Sequence, residues 1–326
     1  MRLPDGFLQE IKYRNEIENI ITRYVSLRQA GANLVACCPF HGEKTPSFTV
    51  NKQRQFFYCF GCGVGGDVIT FVMKAENLDY IAALARLAEF AKMEMPEDGG
   101  EMRGQIIKRK RICEMNREAA VYYHGMLNSA EGGHIREYIN RRGLKSAAVR
   151  RFGLGYAPEG WNGLTRHLSG MGYSKEEQRA AELCRAGKKG DYYDYFRGRL
   201  MFPIIDAQGN VIAFGGRTVD DGNGSGSEKG PKYLNSADTP VFKKSRNLYA
   251  LNFAKNSKHD YFIMCEGYMD VISMNQAGFS NAVATLGTAV TREQAALIGR
   301  YAKRAVLAYD SDEAGRRAMQ KAAALS

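Results

Sequence analysis

Cys38-Pro39-Phe40-His41 and, after seventeen intervening residues, Cys59-Phe60-Gly61-Cys62 constrain this chain more than any other feature of it. Each pair leaves two residues between its ligand-type side chains, a spacing at which one turn presents both to a single ion. Three thiolates and one imidazole fill a tetrahedral shell and leave no position for a catalytic water, so the pattern predicts one structural zinc ion held by Cys38, His41, Cys59 and Cys62. Cys37 competes with Cys38, but three residues would then separate it from His41 and the symmetry of the two pairs would be lost. The seven cysteines are odd in number and four of them fall within 26 residues, which does not describe a secreted disulfide framework. Cys113, Cys184 and Cys265 read as small buried hydrophobes.

The cluster is flanked by helical signals. Leu8, Ile11, Ile17, Ile20, Ile21 and Val25 give helical periodicity over 7–29. Asp67 is placed to cap a helix over 68–75, and Asp79 one over 80–93 whose Ile81, Leu84, Leu87, Ala88 and Ala91 form an apolar stripe. Between the ligand pairs, Lys52, Arg54, Phe56 and Tyr58 share parity and on a strand would line one face. Cations among aromatics suit single-stranded nucleic acid, with bases stacked on rings and phosphates on charges; equally, Phe56 and Tyr58 would pack beneath a helix.

Met95-Pro96-Glu97-Asp98-Gly99-Gly100 has no periodicity and marks a boundary. The expected organisation is a zinc-binding domain over 1–96, a linker over 97–104, a basic subdomain over 105–258 and a further subdomain over 259–326. The 326 residues carry 46 Lys and Arg against 35 Asp and Glu, a surplus of +11 that favours a polyanionic partner. From Gly99 to Tyr156 there are 12 basic and 5 acidic residues, although such runs also serve as solvated helix faces. No stretch reaches the roughly 18 consecutive apolar residues of a membrane span, and Asp5 and Glu10 stand where a signal peptide needs an apolar core, so the expectation is a cytoplasmic protein without membrane contact.

Strand-like runs at Leu200–Ile205 and Val211–Phe214 are joined by the turn sequence Asp206-Ala207-Gln208-Gly209-Asn210, and Asp220–Gly230 reads as a surface loop. After residue 260 short apolar strands (Tyr261–Cys265, Asn281–Thr285, Ala305–Tyr309) alternate with helices (Asp270–Ala277, Arg292–Ala302), which predicts a parallel, doubly wound sheet. Such sheets carry their chemistry at the carboxyl ends of the strands. Glu266 follows the first of these strands directly, and Asp310 with Asp312 follows the third. Carboxylates at neighbouring strand ends suit a hydrated Mg²⁺ and phosphoryl transfer, and Asp270 lies one helical turn from Glu266 on the same side. Asp270 or Asp312 alone would more often be a helix N-cap. Gly267 and Gly315 fit tight strand-to-helix turns, and Gly287-Thr288 completes the rim.

These residues resemble a known family, the bacterial replicative DNA primases of the DnaG type. Cys38-Pro39-Phe40-His41-Gly42-Glu43-Lys44-Thr45-Pro46-Ser47-Phe48 with Cys59-Phe60-Gly61-Cys62-Gly63 is similar to its zinc-binding domain. Glu266-Gly267-Tyr268-Met269-Asp270 with Asp310-Ser311-Asp312-Glu313-Ala314-Gly315 is similar to the topoisomerase-primase (TOPRIM) signature. Phe196-Arg197-Gly198-Arg199-Leu200-Met201-Phe202-Pro203-Ile204, Phe214-Gly215-Gly216-Arg217 and Pro231-Lys232-Tyr233-Leu234-Asn235-Ser236 resemble its basic subdomain. The fold implied is α+β: a small zinc-ribbon-like domain, then a mixed α/β basic subdomain leading into an incomplete parallel TOPRIM sheet.

The resemblance implies synthesis of short RNA primers on single-stranded DNA, with ribonucleoside triphosphates as substrates and an RNA primer/DNA hybrid as product. It implies Mg²⁺ or Mn²⁺ on Glu266, Asp270, Asp310 and Asp312, with Glu266, Asp310 and Asp312 as the catalytic set. It implies template or nucleotide contacts by Arg142, Arg197, Arg199, Arg217, Lys232, Tyr233, Asn235 and Lys244, beside Lys52, Arg54, Phe56 and Tyr58 of the zinc domain. A monomer working with a replicative helicase is expected. The family continues past the point matching Ser326 with a further acidic motif, the rest of the polymerase domain and a helicase-binding domain, so a fragment is implied. A catalytically weak module that binds single-stranded DNA is the alternative reading. Another TOPRIM enzyme, a topoisomerase or nuclease, is disfavoured by the motifs between 196 and 236.

Overall fold

Asp67 and Asp79 start two helices as their side chains require. In this computed structural model, which describes residues 5–94, 100–187, 190–219, 230–287 and 289–323, each aspartate accepts a hydrogen bond from the backbone three residues on, Thr70 N and Ala82 N at 2.9 Å. The chain divides into two compact units, one reaching to Lys108 and including Ala296–Arg304, the other comprising Arg109–Ala295 and the residues from Ala305.

The first unit opens with α1 (Asp5–Arg14) and α2 (Ile17–Ile21), then a five-stranded antiparallel sheet of β1 (Arg28–Ala30), β2 (Asn33–Ala36), β3 (Phe48–Asn51), β4 (Phe56–Cys59) and β5 (Gly65–Gly66) in sequential order. The helical run expected over 7–29 is therefore broken, and its last residues are strand. Buried Asn15 causes the break: its amide donates to Ile11 O and Leu87 O, and Glu16 adopts an extended conformation. α3 (Val68–Ala75) and α4 (Tyr80–Phe90) follow. The α4 helix ends before the expected residue 93, because Lys92 takes φ 51° and the Met93 N–H turns back to Ala88 O at 2.8 Å. Leu84, Leu87 and Ala88 of the stripe are buried. Phe48, Phe57 and Phe71 are fully buried with ring centroids 5.2–6.2 Å apart, and each contributes about 1.5–3 kcal/mol of hydrophobic stabilisation.

The helix α5 (Gly100–Asn128) begins inside the segment expected as a linker over 97–104; residues 95–99 lie outside the described residues. Of the basic run on α5, Arg109 donates to Pro240 O, and Arg111 pairs with Glu177, donates to Gly172 O at 2.7 Å and covers the Tyr173 ring. Those two guanidinium groups pin the part of α5 from Arg109 onward within the second unit.

Beyond α5 come α6 (Gly133–Arg141), α7 (Ser146–Phe152), β6 (Gly155–Ala157), α8 (Gly163–Gly170), α9 (Lys175–Ala180), the hairpin β7 (Cys184–Ala186) and β8 (Tyr192–Asp194), then β9 (Arg199–Ile205), β10 (Val211–Thr218) and β11 (Tyr233–Asn235). The strands β11-β10-β9-β6 form an antiparallel sheet. The turn between β9 and β10 is closed by Asp206, whose carboxylate accepts from Gln208 N and Asn210 N. Most of the loop expected over Asp220–Gly230 lies outside the described residues.

After α10 (Leu251–Ala254), the chain forms β12 (Tyr261–Cys265), α11 (Tyr268–Gln276), β13 (Ala282–Ala284), α12 (Arg292–Tyr301), β14 (Arg304–Ala308) and α13 (Glu313–Ala323). The sheet order is β13-β12-β14, with β12 and β13 parallel, as the alternation of strands and helices requires. The β12 residues Phe262–Cys265 are buried, whereas four of the five β14 residues are exposed. Among the described residues no helix is long and apolar enough to cross a membrane.

Candidate functional site

Three regions gather the side chains that the sequence singles out. In the first, Cys38, His41, Cys59 and Cys62 each offer one ligand atom, and these atoms all lie within 4.8 Å of one another. Tetrahedral zinc with bonds of about 2.3 Å to sulfur and 2.0–2.1 Å to nitrogen needs ligand separations of roughly 3.6–3.8 Å. The separations of 3.9 Å between the Cys38 and Cys62 sulfurs, and 3.7 Å between Cys59 Sγ and His41 Nδ1, fit that ion. Cys37 is exposed and its sulfur lies toward Lys44 O instead, which resolves the competition in favour of Cys38.

The sulfurs are also prepared by their own turns: Phe40 N donates to Cys38 Sγ at 3.3 Å and Cys62 N to Cys59 Sγ at 3.5 Å. Burial alone raises the Cys59 thiol, but the Ser47 hydroxyl and the N–H groups of Cys62 and Gly61 outweigh it and hold the pKa below the usual thiol value. Burial pushes Cys38 upward, a cost that a bound cation reverses.

Glu43 was not foreseen. Its carboxylate lies 3.2 Å from His41 Nε2 and accepts from Cys38 N, Ser47 N and the Ser47 hydroxyl at 2.7, 3.1 and 2.5 Å. It thereby orients the imidazole with Nδ1 toward the sulfurs, a carboxylate–histidine–metal arrangement. A carboxylate two residues beyond a histidine ligand is the signal that could have found it. Gly61 is demanded at the same place, since a Cβ there would stand 2.6 Å from His41 Nε2.

The second region is the outer face of the same sheet. Phe56 and Tyr58 are 43% and 39% exposed, and Phe60 beyond them is 75% exposed, so these rings do not form the core. The pairing register sets Tyr58 opposite Thr49, Thr49 opposite Val35 and Val35 opposite Arg28, a row that ends on a cation. Lys52 and Arg54 depart from the expectation: they sit in the turn between β3 and β4, where strand parity does not apply, with Arg54 N held by Asn51 Oδ1 and the Lys52 ammonium 3.9 Å from Glu18.

The third region is the carboxyl end of the parallel sheet. Glu266 Oε1 accepts from Asp310 N at 2.8 Å, which places the ends of β12 and β14 side by side. Asp312 Oδ1 accepts from Gly315 N at 2.7 Å at the start of α13, and Asp270 Oδ2 accepts from Gly267 N at 3.1 Å at the start of α11. The N-cap reading therefore holds for Asp312, whereas Asp270 is not an N-cap: it is the third residue of α11 and reaches back to the capping residue Gly267; each of these two carboxylates keeps a second oxygen. Glu266, Asp270, Asp310 and Asp312 are all exposed, and among the described residues only the cysteine and histidine group is drawn together as closely as a complete protein shell requires. An oxygen-only, open donor set suits a hard cation that retains water or phosphate ligands. Gly315 is sterically required, since a Cβ would meet Asp310 O at 2.1 Å and Glu266 Oε1 at 2.7 Å; Gly267 is not, and Thr288 lies outside the described residues.

The basic residues separate into exposed and buried groups. Arg142 and Lys232 are exposed and Lys244 is half-buried. Arg217 donates to the Tyr233 hydroxyl at 2.8 Å and lies between the Tyr233 and Tyr138 rings. Arg197 stacks 3.7 Å from the Trp161 ring centroid; that indole, the chain's single tryptophan, is 64% exposed and escaped the sequence reading. Arg199 is 3% exposed and donates to Gly216 O and Pro231 O, so it braces backbone inside the sheet. Asn235 is also turned inward, bonded to Tyr268 and Leu286.

Comparison with known proteins gives these three regions a common frame. Residues 3–103 match a CHC2 zinc finger model, 122–255 the N-terminal domain of the DNA primase catalytic core, and 263–326 a Toprim-like domain. A DNA primase of Clostridium acetobutylicum is 42% identical over 97% of this chain and 52% of its own length, so the chain spans about half of such curated relatives. The crystal structure of the Aquifex aeolicus primase, comprising zinc-binding and RNA polymerase domains, is similar with a TM-score of 0.61 at 35% identity, over 98% of this chain and 76% of that one. A DnaG primase catalytic domain bound to single-stranded DNA matches with a TM-score of 0.61 at 34% identity, over 67% of this chain and 66% of that one. With a closed Cys₃His cluster, a basic subdomain and a Toprim edge in the same order, the chain belongs to the DnaG-type bacterial DNA primases.

Proposed function

We propose that this chain carries the nucleotidyl-transfer centre of a DNA primase, a DNA-directed RNA polymerase that makes short RNA primers on single-stranded DNA in the cytoplasm. The observation that carries the reading is the Glu266–Asp310 contact, which sets carboxylates at two neighbouring strand ends on an exposed edge. Mg²⁺ or Mn²⁺ held by Glu266, Asp310 and Asp312, with Asp270 beside them, would activate the attacking 3′ hydroxyl and neutralise the triphosphate.

The chain's own groups supply the rest. Arg142, Arg197, Arg217, Lys232, Tyr233 and Lys244 offer charge and hydrogen bonds to phosphates of the template and incoming nucleotide, whereas Arg199 and Asn235 act from inside the fold. The exposed Phe56, Tyr58 and Phe60, with Arg28, Lys52 and Arg54, offer stacking and phosphate contacts to single-stranded template. The likeness to a primase catalytic domain bound to single-stranded DNA supports this template class.

Incorporation of labelled ribonucleotides on single-stranded DNA, with Mg²⁺ or with Mn²⁺, tests the reading against the Asp310→Ala variant. Synthesis by the unaltered chain that is lost in the variant is the expected result. The exposed aromatic face favours a second reading, a template-binding module, which DNA binding without synthesis by either protein would establish.

A further inference from the structure

Four separate motifs meet at one buried point. The Tyr268 hydroxyl donates to Asn235 Oδ1 at 2.6 Å, and Asn235 Nδ2 donates to Leu286 O at 3.0 Å, so both ends of the asparagine amide are occupied. The Tyr268 ring stacks on Phe202 at 4.9 Å with 10° between planes and meets Tyr249 edge-on at 4.7 Å. Gly215, paired with Asn235 in the sheet, makes room for that ring, since a Cβ there would lie 2.5 Å from it. Gly287 makes room for Asn235 Nδ2, which a Cβ would meet at 2.8 Å, and its φ of +79° is one that glycine adopts freely.

From this geometry we infer that Asn235 and Tyr268 form an internal latch that positions the carboxylate edge. Tyr268 is two residues beyond Glu266, in the strand-to-helix turn that begins α11. Leu286 is in the turn that leaves β13, the parallel neighbour of β12. Asn235 ends β11, in the other sheet of the same unit. One side chain thus ties that sheet to two of the strand ends around the site, and the Glu266 main chain is held by a ring that packing and a hydrogen bond fix in place. Asn235 is a positioning residue and makes no contact with nucleotide. The two glycines belong to the same device, because each allows the close approach that the latch needs.

The inference rests on the Toprim edge holding a divalent cation, as proposed above, and its test separates the two. Tyr268→Phe keeps the ring and its packing and removes only the donor. In the zinc-loaded chain, Mn²⁺ affinity measured by electron paramagnetic resonance and kcat for ribonucleotide incorporation should each fall about tenfold in Tyr268→Phe and in Asn235→Ala, the worth of one buried hydrogen bond, while KM for nucleotide stays the same. The double variant should be no worse than Asn235→Ala alone, because both changes break one unit.

Unchanged Mn²⁺ affinity in both single variants overturns the latch, whatever happens to melting temperature. So does a raised nucleotide KM in Asn235→Ala beside an unaffected Tyr268→Phe, which would make Asn235 a substrate contact, and so do losses that add in the double variant. If the unaltered chain makes no primers but Mn²⁺ affinity falls as expected, the latch stands and the primer-synthesis reading falls.

Discussion

The cysteine–histidine cluster and the carboxylate edge hold their side chains in opposite ways. The zinc ligands come from 25 consecutive residues, and their turns, their N–H···S contacts and the Glu43–Ser47 pair complete the environment locally. The carboxylates come from strand ends 44 residues apart in sequence and stay exposed; Glu266, Asp270 and Asp312 each give one oxygen to a backbone N–H, and Asp310 joins them through its own N–H, which donates to Glu266. A soft, closed shell can be part of a domain's fold, because nothing else must bind there. A site for a hard cation shared with substrate phosphates must stay open, so its geometry has to be supported from behind.

The largest test of that contrast is removal of the zinc ligands. Cys59→Ser, or chelation of the ion, should unfold the first unit, since structural zinc contributes on the order of 10 kcal/mol to folding. Hydrogen exchange should show protection lost over 17–90 and retained over β9 and β10. Unchanged protection over 17–90 would make the ribbon's aromatic core self-sufficient and break the comparison.

At the open edge the same kind of insult should spare the fold and remove the chemistry. Gly315→Ala forces a methyl against Asp310 O and Glu266 Oε1 and should lower primer synthesis by about a hundredfold, with a stability cost of about 1–3 kcal/mol. Wild-type synthesis would show that this close approach does not set the carboxylates.

Glu43→Gln sharpens the closed side of the comparison. Weakening the partner of His41 Nε2 should lower zinc affinity by about 10–100-fold without unfolding the zinc-saturated chain, as a competition titration with a chromophoric chelator would read. An unchanged affinity would leave Glu43 only a turn-forming role.

The smallest effect belongs to Asp67, which caps α3. Burial would raise its pKa, but the Lys12 ion pair and the Thr70 N–H and hydroxyl outweigh it and hold the folded value below the usual 3.8. A lowered folded pKa adds stability that is present above about pH 4 and is lost as pH falls through the folded value. Asp67→Ala should therefore cost about 1 kcal/mol at neutral pH, and Asp67→Asn, which keeps a capping oxygen without the charge, a smaller amount, as denaturant titrations of the zinc-loaded chain at pH 7 would show. An unchanged stability in Asp67→Asn would remove the charge from the explanation.

Local spacing made much of this molecule legible. The clustering of Cys38, His41, Cys59 and Cys62, the caps at Asp67 and Asp79, the β9–β10 turn and the alternation of strands and helices after residue 260 depend on short-range interactions, and the structure shows them within a residue or two of where the sequence places them. The break at Asn15 was not legible, because its amide is satisfied by Leu87, 72 residues away.

The sequence by itself therefore determined where a zinc-binding group of cysteines and a histidine would form, the layout of the elements and which carboxylates end which strands, because each of these follows from local geometry. Only the tertiary structure decided what a polar side chain does once the chain has closed. It kept Phe56 and Tyr58 exposed, buried Arg199 against two carbonyl groups, and turned Asn235 inward to Tyr268. Arginines and an asparagine in a basic stretch look alike along the chain. Whether one meets solvent or a buried carbonyl depends on partners distant in sequence, and a buried polar group must find such a partner or pay its desolvation.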